Sequence, residues 1–136
     1  MEKLLSLHRY YIWANRLRGY FESTLSSQKA GNSVRVEFAD DTGLFLAQWY
    51  TSLYVVIEGW KELKLSDFEI DRLIASPNTE LLRRFRNGVC HFQGQYFDAR
   101  FSEVLNAEGL VAWVRELNRE FGRYFLEELK QQVPNG

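Results

Sequence analysis

One cysteine, Cys90, and two prolines, Pro77 and Pro134, are all that this chain of 136 residues has of either type. A single thiol excludes an intramolecular disulfide framework and every zinc site built from several cysteines. So little proline leaves room for long, uninterrupted helices. No apolar run approaches the ~18 residues of a membrane span, so no membrane partner is expected. The N-terminal MEKLLSLHRYYIW has no unbroken apolar stretch followed by small residues. It does not read as a secretory signal, and a cytoplasmic location is expected. Net charge is only −1, which argues against a globally basic nucleic-acid binder. Reactive motifs are missing too: there is no GxSxG elbow, no GxGxxG and no phosphate loop. His8 and His91 stand far apart, and neither falls in HExxH or Glu-x-x-His, so neither a metal nor another cofactor is expected. Cys90 has no acidic neighbour to suggest a triad and reads as a small buried hydrophobe. His8 reads as a structural histidine.

What the chain does have is apolar surface. Hydrophobic residues make up 46% and aromatic residues 15%, enough to build a core without staples and too much for a disordered chain. Residues 1–136 are expected to form one domain. Leu4, Leu7, Tyr11, Ala14, Arg18, Phe21 and Leu25 recur at alternating spacings of three and four, which predicts a helix from Glu2 to Leu25. The small and polar SSQKAGN that follows predicts a break, and residues 33–38 an extended connection. Asp40 or Asp41 caps a second helix with the stripe Leu46, Trp49, Leu53, Val56, Trp60 and Leu63. Tyr50, Tyr54 and Ile57 widen its apolar face, so it should be the most buried helix. Ser66-Asp67-Phe68-Glu69 is a capping-box pattern for a short helix through Ile74. Ser76-Pro77 opens another, carrying Leu81, Leu82, Phe85, Val89 and Phe92. Gln95 to Asn106 is aromatic and irregular and predicts a bend, with or without a helical turn. A last helix runs from Ala107 to Gln131, with a frayed tail after it. The fold class expected is all-α, an up-and-down bundle of four main helices plus one short helix.

One segment stands apart. Residues 83–100, RRFRNGVCHFQGQYFDAR, hold Arg83, Arg84, Arg86 and Arg100 against Asp98 alone, a formal charge of +3 that leaves −4 for the remainder of the chain. Phe92, Tyr96 and Phe97 interleave the cations, as they would where bases stack beside phosphates. Arginines on a helix flank also commonly face water, and aromatics at helical spacing commonly fill a core. The residue types leave both readings open.

Within this segment, Arg86-Asn87-Gly88-Val89-Cys90-His91 resembles the signature of the HEPN superfamily: arginine, four to six residues, histidine, often with asparagine straight after the arginine. The motif falls late in a helical chain with one more long helix following, as it does in that family. The resemblance implies a metal-independent endoribonuclease of the toxin or defence type. It further implies a symmetric homodimer with the motif at the interface, RNA as substrate and a cognate antitoxin as partner. Carried over, Arg86 and His91 would be catalytic and Asn87 supporting. From the basic, aromatic character of the segment itself, Arg83, Arg84, Tyr96 and Arg100 would contact RNA. The residue types suit the chemistry. A histidine can take the 2′-hydroxyl proton near neutral pH. An arginine fork can meet two oxygens of the phosphate as charge grows on it. The surplus of rings at Tyr96, Phe97 and Phe101 also suits an interface.

Helical geometry complicates the motif. On a regular helix Arg86 and His91 lie about 140° apart, whereas Asn87 and Arg84 fall near the face of His91. Either Arg86 reaches around, or the helix is distorted at Gly88, or Arg84 takes the phosphate role. Gly88 serves a distortion or a close helix contact. His91 has a structural reading as well, as a histidine hydrogen-bonded at a helix end. Two rivals to the ribonuclease follow: a catalytically silent HEPN-like domain that binds a nucleotide, RNA or a protein, and a structural dimerisation bundle.

Overall fold

The computed structural model describes residues 1–29 and 39–132. Six helices account for most of them: α1 (Glu2–Lys29), α2 (Asp41–Glu62), α3 (Phe68–Ile74), α4 (Asn78–Cys90), α5 (Ala99–Asn106) and α6 (Leu110–Gln132). There is no strand among the described residues, and no helix among them is long and apolar enough to cross a membrane. The expected extended connection at 33–38 and the frayed tail at 133–136 lie outside the described residues.

α1 runs past the break expected at Ser26. The Thr24 and Ser27 hydroxyls donate to carbonyls one turn back rather than disrupting the ladder. Gln28 Nε2 then donates to Thr42 Oγ1 at 2.6 Å and ties the end of α1 to the start of α2. Asp40 caps α2, its Oδ1 accepting from the Gly43 N–H at 2.9 Å. At the far end of the pair, Gly59 lies so close to Leu7 that a Cβ there would collide with the leucine methyl. Since Leu7 meets Gly59 while Gln28 meets Thr42, α1 and α2 are antiparallel. α6 is antiparallel to α1 as well, through Asn15–Asn118 and Glu22–Arg115. α2 supplies the largest part of the core, with Trp49, Tyr50, Leu53, Val56, Ile57 and Trp60 all buried. Phe21, Phe85, Phe121 and Phe125 close around them.

Three indole N–H groups leave this core satisfied. Trp49 donates to Asn118 Oδ1 (3.0 Å), Trp60 to Asp71 Oδ1 (2.9 Å) and Trp113 to the Leu73 carbonyl (3.0 Å). The last two fasten α3, whose cap is Asp67, not Ser66: Asp67 Oδ2 accepts from the Ile70 N–H. Burial pushes the Asp67 carboxyl up, but that bond and the Arg123 guanidinium outweigh it and hold it below the usual carboxylate range. Ser76 Oγ accepts from the Asn78 N–H at the start of α4.

The structure departs from the sequence pattern at four points. The irregular segment contains a true helix, α5, capped by Asp98 Oδ1 on the Arg100 N–H, and α6 begins at Leu110 rather than Ala107. Phe92 is not a core residue of the fourth helix, because the chain leaves the helix at His91 and Phe92 is 97% exposed. Cys90 is exposed, not buried, because it occupies the last helical position on the side of α4 turned away from buried Phe85.

Candidate functional site at the α4–α5 corner

α4 is regular through Cys90, and His91 is its C-cap in extended conformation (φ −123°, ψ 129°). The His91 N–H still donates to the Asn87 carbonyl at 3.2 Å, but the side chain no longer follows the helical wheel. The distortion thus falls at His91. Gly88 serves the other role open to it: an added Cβ would sit 3.2 Å from Arg100 Cβ and 3.5 Å from Phe101 Cζ, so it lets α5 lie against α4.

The basic residues turn to different neighbours. Arg86 reaches α2, where Nη1 meets Glu58 Oε1 at 2.9 Å and the guanidinium lies 4.9 Å from the centre of the Tyr54 ring. Its Nε is buried without a hydrogen-bond partner. Burial and the Glu58 charge push the Tyr54 hydroxyl up against the opposing pull of Arg86 and Arg83. Arg84 reaches α5 and meets both oxygens of Glu103, at 3.1 and 3.2 Å. Arg83 pairs with Glu80 one turn back on α4 and, through that hydrogen bond, holds the Glu80 carboxyl below its ordinary value. Arg100 donates to Gln93 Oε1 at 2.8 Å and lies 4.0 Å from Asp98. Four arginines therefore face Glu58, Glu80, Glu103 and Asp98, so the local formal charge is 4 − 4 = 0. The +3 read from the linear segment is cancelled by carboxylates outside it.

His91 lies in a cleft of about 310 Å³ with Gly88, Gln93, Tyr96 and Phe101. His91 and Tyr96 are thus brought together. Arg86, Arg83, Arg84 and Arg100 do not line that cleft, and Asn87 contributes its carbonyl to the His91 cap. One chain by itself offers an accessible imidazole, and the nearest guanidinium on its side of the corner is that of Arg100, held to Gln93, whose Nε2 in turn donates to the His91 carbonyl at 2.7 Å. Around the cleft the surface is aromatic: Phe92 is 97%, Phe97 87% and Tyr96 70% exposed, with the Tyr96 and Phe97 rings edge to face at 5.0 Å. Among the described residues no three of His, Cys, Asp and Glu gather as they would around a metal ion.

Glu58, Tyr54 and Glu103 decide how this corner behaves; the sequence pattern marks Tyr54 only as part of the apolar face of α2 and does not mark Glu58 or Glu103. Only the Glu80–Arg83 pair had a readable signal, its spacing of three on one helix. Comparison of the chain with known protein families, with curated proteins and with solved structures gives no match, so the reading of this corner rests on its own geometry.

Proposed function

We propose that the chain is an HEPN-like, catalytically silent domain that works by self-association, with the α4–α5 corner of one copy set against the same corner of a second. The observation that carries this reading is the exposure of Phe92, Tyr96 and Phe97 at the end of a segment whose four arginines each face a carboxylate. Aromatic and arginine side chains are enriched at protein interfaces. A two-fold contact sets a patch against itself, and local neutrality spares the two copies like-charge repulsion. A polynucleotide would instead be drawn by unpaired cations, and here each arginine already has a carboxylate.

Light scattering at about 50 µM tests the reading: a dimer is expected, and Phe97→Asp with Phe92→Asp should yield monomers that remain folded, since neither ring is part of the core. A wild-type monomer at that concentration would overturn it.

The second reading is the metal-independent ribonuclease, favoured by the open position of His91 beside Tyr96. On this reading two copies would bring two imidazoles to one cleft, and Arg86 would exchange Glu58 for phosphate. Cleavage of single-stranded RNA in EDTA, lost by a hundredfold or more in His91→Ala, is its signature. Intact RNA after incubation with the dimer would leave the silent domain.

A further inference from the structure

Away from that corner, α1 and α6 enclose a groove of about 400 Å³. Arg18, Arg115 and Arg119 line it against a single carboxylate, Glu22, a formal charge of 3 − 1 = +2. Arg115 takes that carboxylate with two arms, Nε to Oε1 at 2.6 Å and Nη2 to Oε2 at 3.0 Å. Neither Arg18 nor Arg119 is ion-paired with a carboxylate among the described residues. This is unlike Arg72, Arg83, Arg84, Arg86 and Arg123, each of which is.

The floor of the groove is rigid. Asn118 is 2% exposed and pinned from both sides: its Oδ1 accepts from Trp49 Nε1 at 3.0 Å, and its Nδ2 donates to Asn15 Oδ1 at 3.0 Å. The same Asn15 oxygen accepts from Arg18 Nε at 3.0 Å, so the buried network reaches out and holds the stem of Arg18. Only its terminal nitrogens remain to be used. A ligand meeting a cation already held this way does not have to order it.

We propose that this groove binds a phosphate monoester as its dianion. Two unpaired guanidiniums supply the matching charge and the forked donors that bridge phosphate oxygens. Water occupies about 30 Å³ per molecule, so the groove exceeds a bare phosphate several times over and leaves room for an organic group along Tyr11. The groove shares no residue with the α4–α5 corner, and its ligand is independent of self-association there.

Titration calorimetry on the intact chain at low ionic strength tests this with inorganic phosphate, ribose 5-phosphate and AMP, and with succinate as a dianion of another shape. Saturable binding of the two esters is expected, with Kd of about 1 mM or tighter and tighter than inorganic phosphate. AMP alone above ribose 5-phosphate would assign the organic group to a nucleoside; equal affinities would assign it to the sugar phosphate. Arg119→Gln, on an exposed residue, and Arg18→Gln should each weaken binding about tenfold or more. Arg16→Gln, exposed on α1 outside the groove, should leave it unchanged. Circular dichroism establishes that each variant is folded. No saturable heat with any phosphate, succinate binding as tightly as the esters, or undiminished binding in Arg119→Gln would overturn the proposal.

Discussion

Asn118→Leu is the substitution that most directly weighs the polar network under the core. Trp49 is fully buried, and its indole N–H points at Asn118 Oδ1. Leucine fills a similar volume, so no large cavity opens, but the N–H is left without an acceptor. An orphaned buried donor costs about 1–3 kcal/mol. Leucine recovers little by burial, because its neighbours Asn15 and Arg18 are polar. A loss of ~2 kcal/mol is therefore expected. At roughly 4 °C per kcal/mol for a chain of this length, Tm should fall by about 8 °C. A melt followed by circular dichroism reads this directly. The double-mutant cycle with Trp49→Phe isolates the bond. Trp49→Phe should be less damaging by ~1–2 kcal/mol in the Asn118→Leu background, where no donor remains to be orphaned. The reasoning is refuted if Asn118→Leu melts within about 2 °C of the wild type, or if the two changes add within ~0.5 kcal/mol.

Gly88→Val should destabilise by about 1–3 kcal/mol, because the new atoms press on Arg100 and Phe101, while Gly94→Ala, into open space, should be nearly neutral; equal melting temperatures for the two would remove the packing role of Gly88. His8 lies against the Phe125 and Tyr11 rings, and burial lowers its pKa from the ordinary 6.5. The unfolded chain then takes up the proton more readily than the folded one, so stability present above about pH 6.5 should decline as pH falls through the lowered value. Denaturant midpoints measured from pH 7.5 to 5 should show that slope flattened in His8→Leu, and an unchanged slope would exclude His8 as its source.

The helices legible in the sequence were those whose apolar spacing persists for several turns. Leu7, Ala14, Phe21 and Leu25 do face the core, as do Leu46, Trp49, Leu53, Val56 and Trp60. Short range defeated the same logic. α5 has eight residues, too few for a stripe to stand out, and its buried member is Val104 alone. The end of α4 was misplaced because Cys90 and His91 carry no terminating glycine or proline, the next being Gly94. The candidate site suffered from a different blindness. Its cations were visible as a run in the chain, but the acids that neutralise Arg84 and Arg86 lie on α5 and α2. Charge read along a segment is not charge read on a surface. The α1–α6 groove had no segment to announce it at all, since Arg18 and Arg119 meet only after both helices have packed.

Cys90 has a practical consequence. It is the one cysteine in the chain, it is exposed, and it adjoins His91. A maleimide or nitroxide will therefore attach at a single position without any prior mutagenesis. That position lies at the corner where two copies are proposed to meet, and the side chain packs in no core that a label would disrupt. The natural chain is in this sense already a singly addressable probe. A pair of nitroxides would report the separation of the two corners as a distance, and their mutual broadening would vanish on dilution with unlabelled protein.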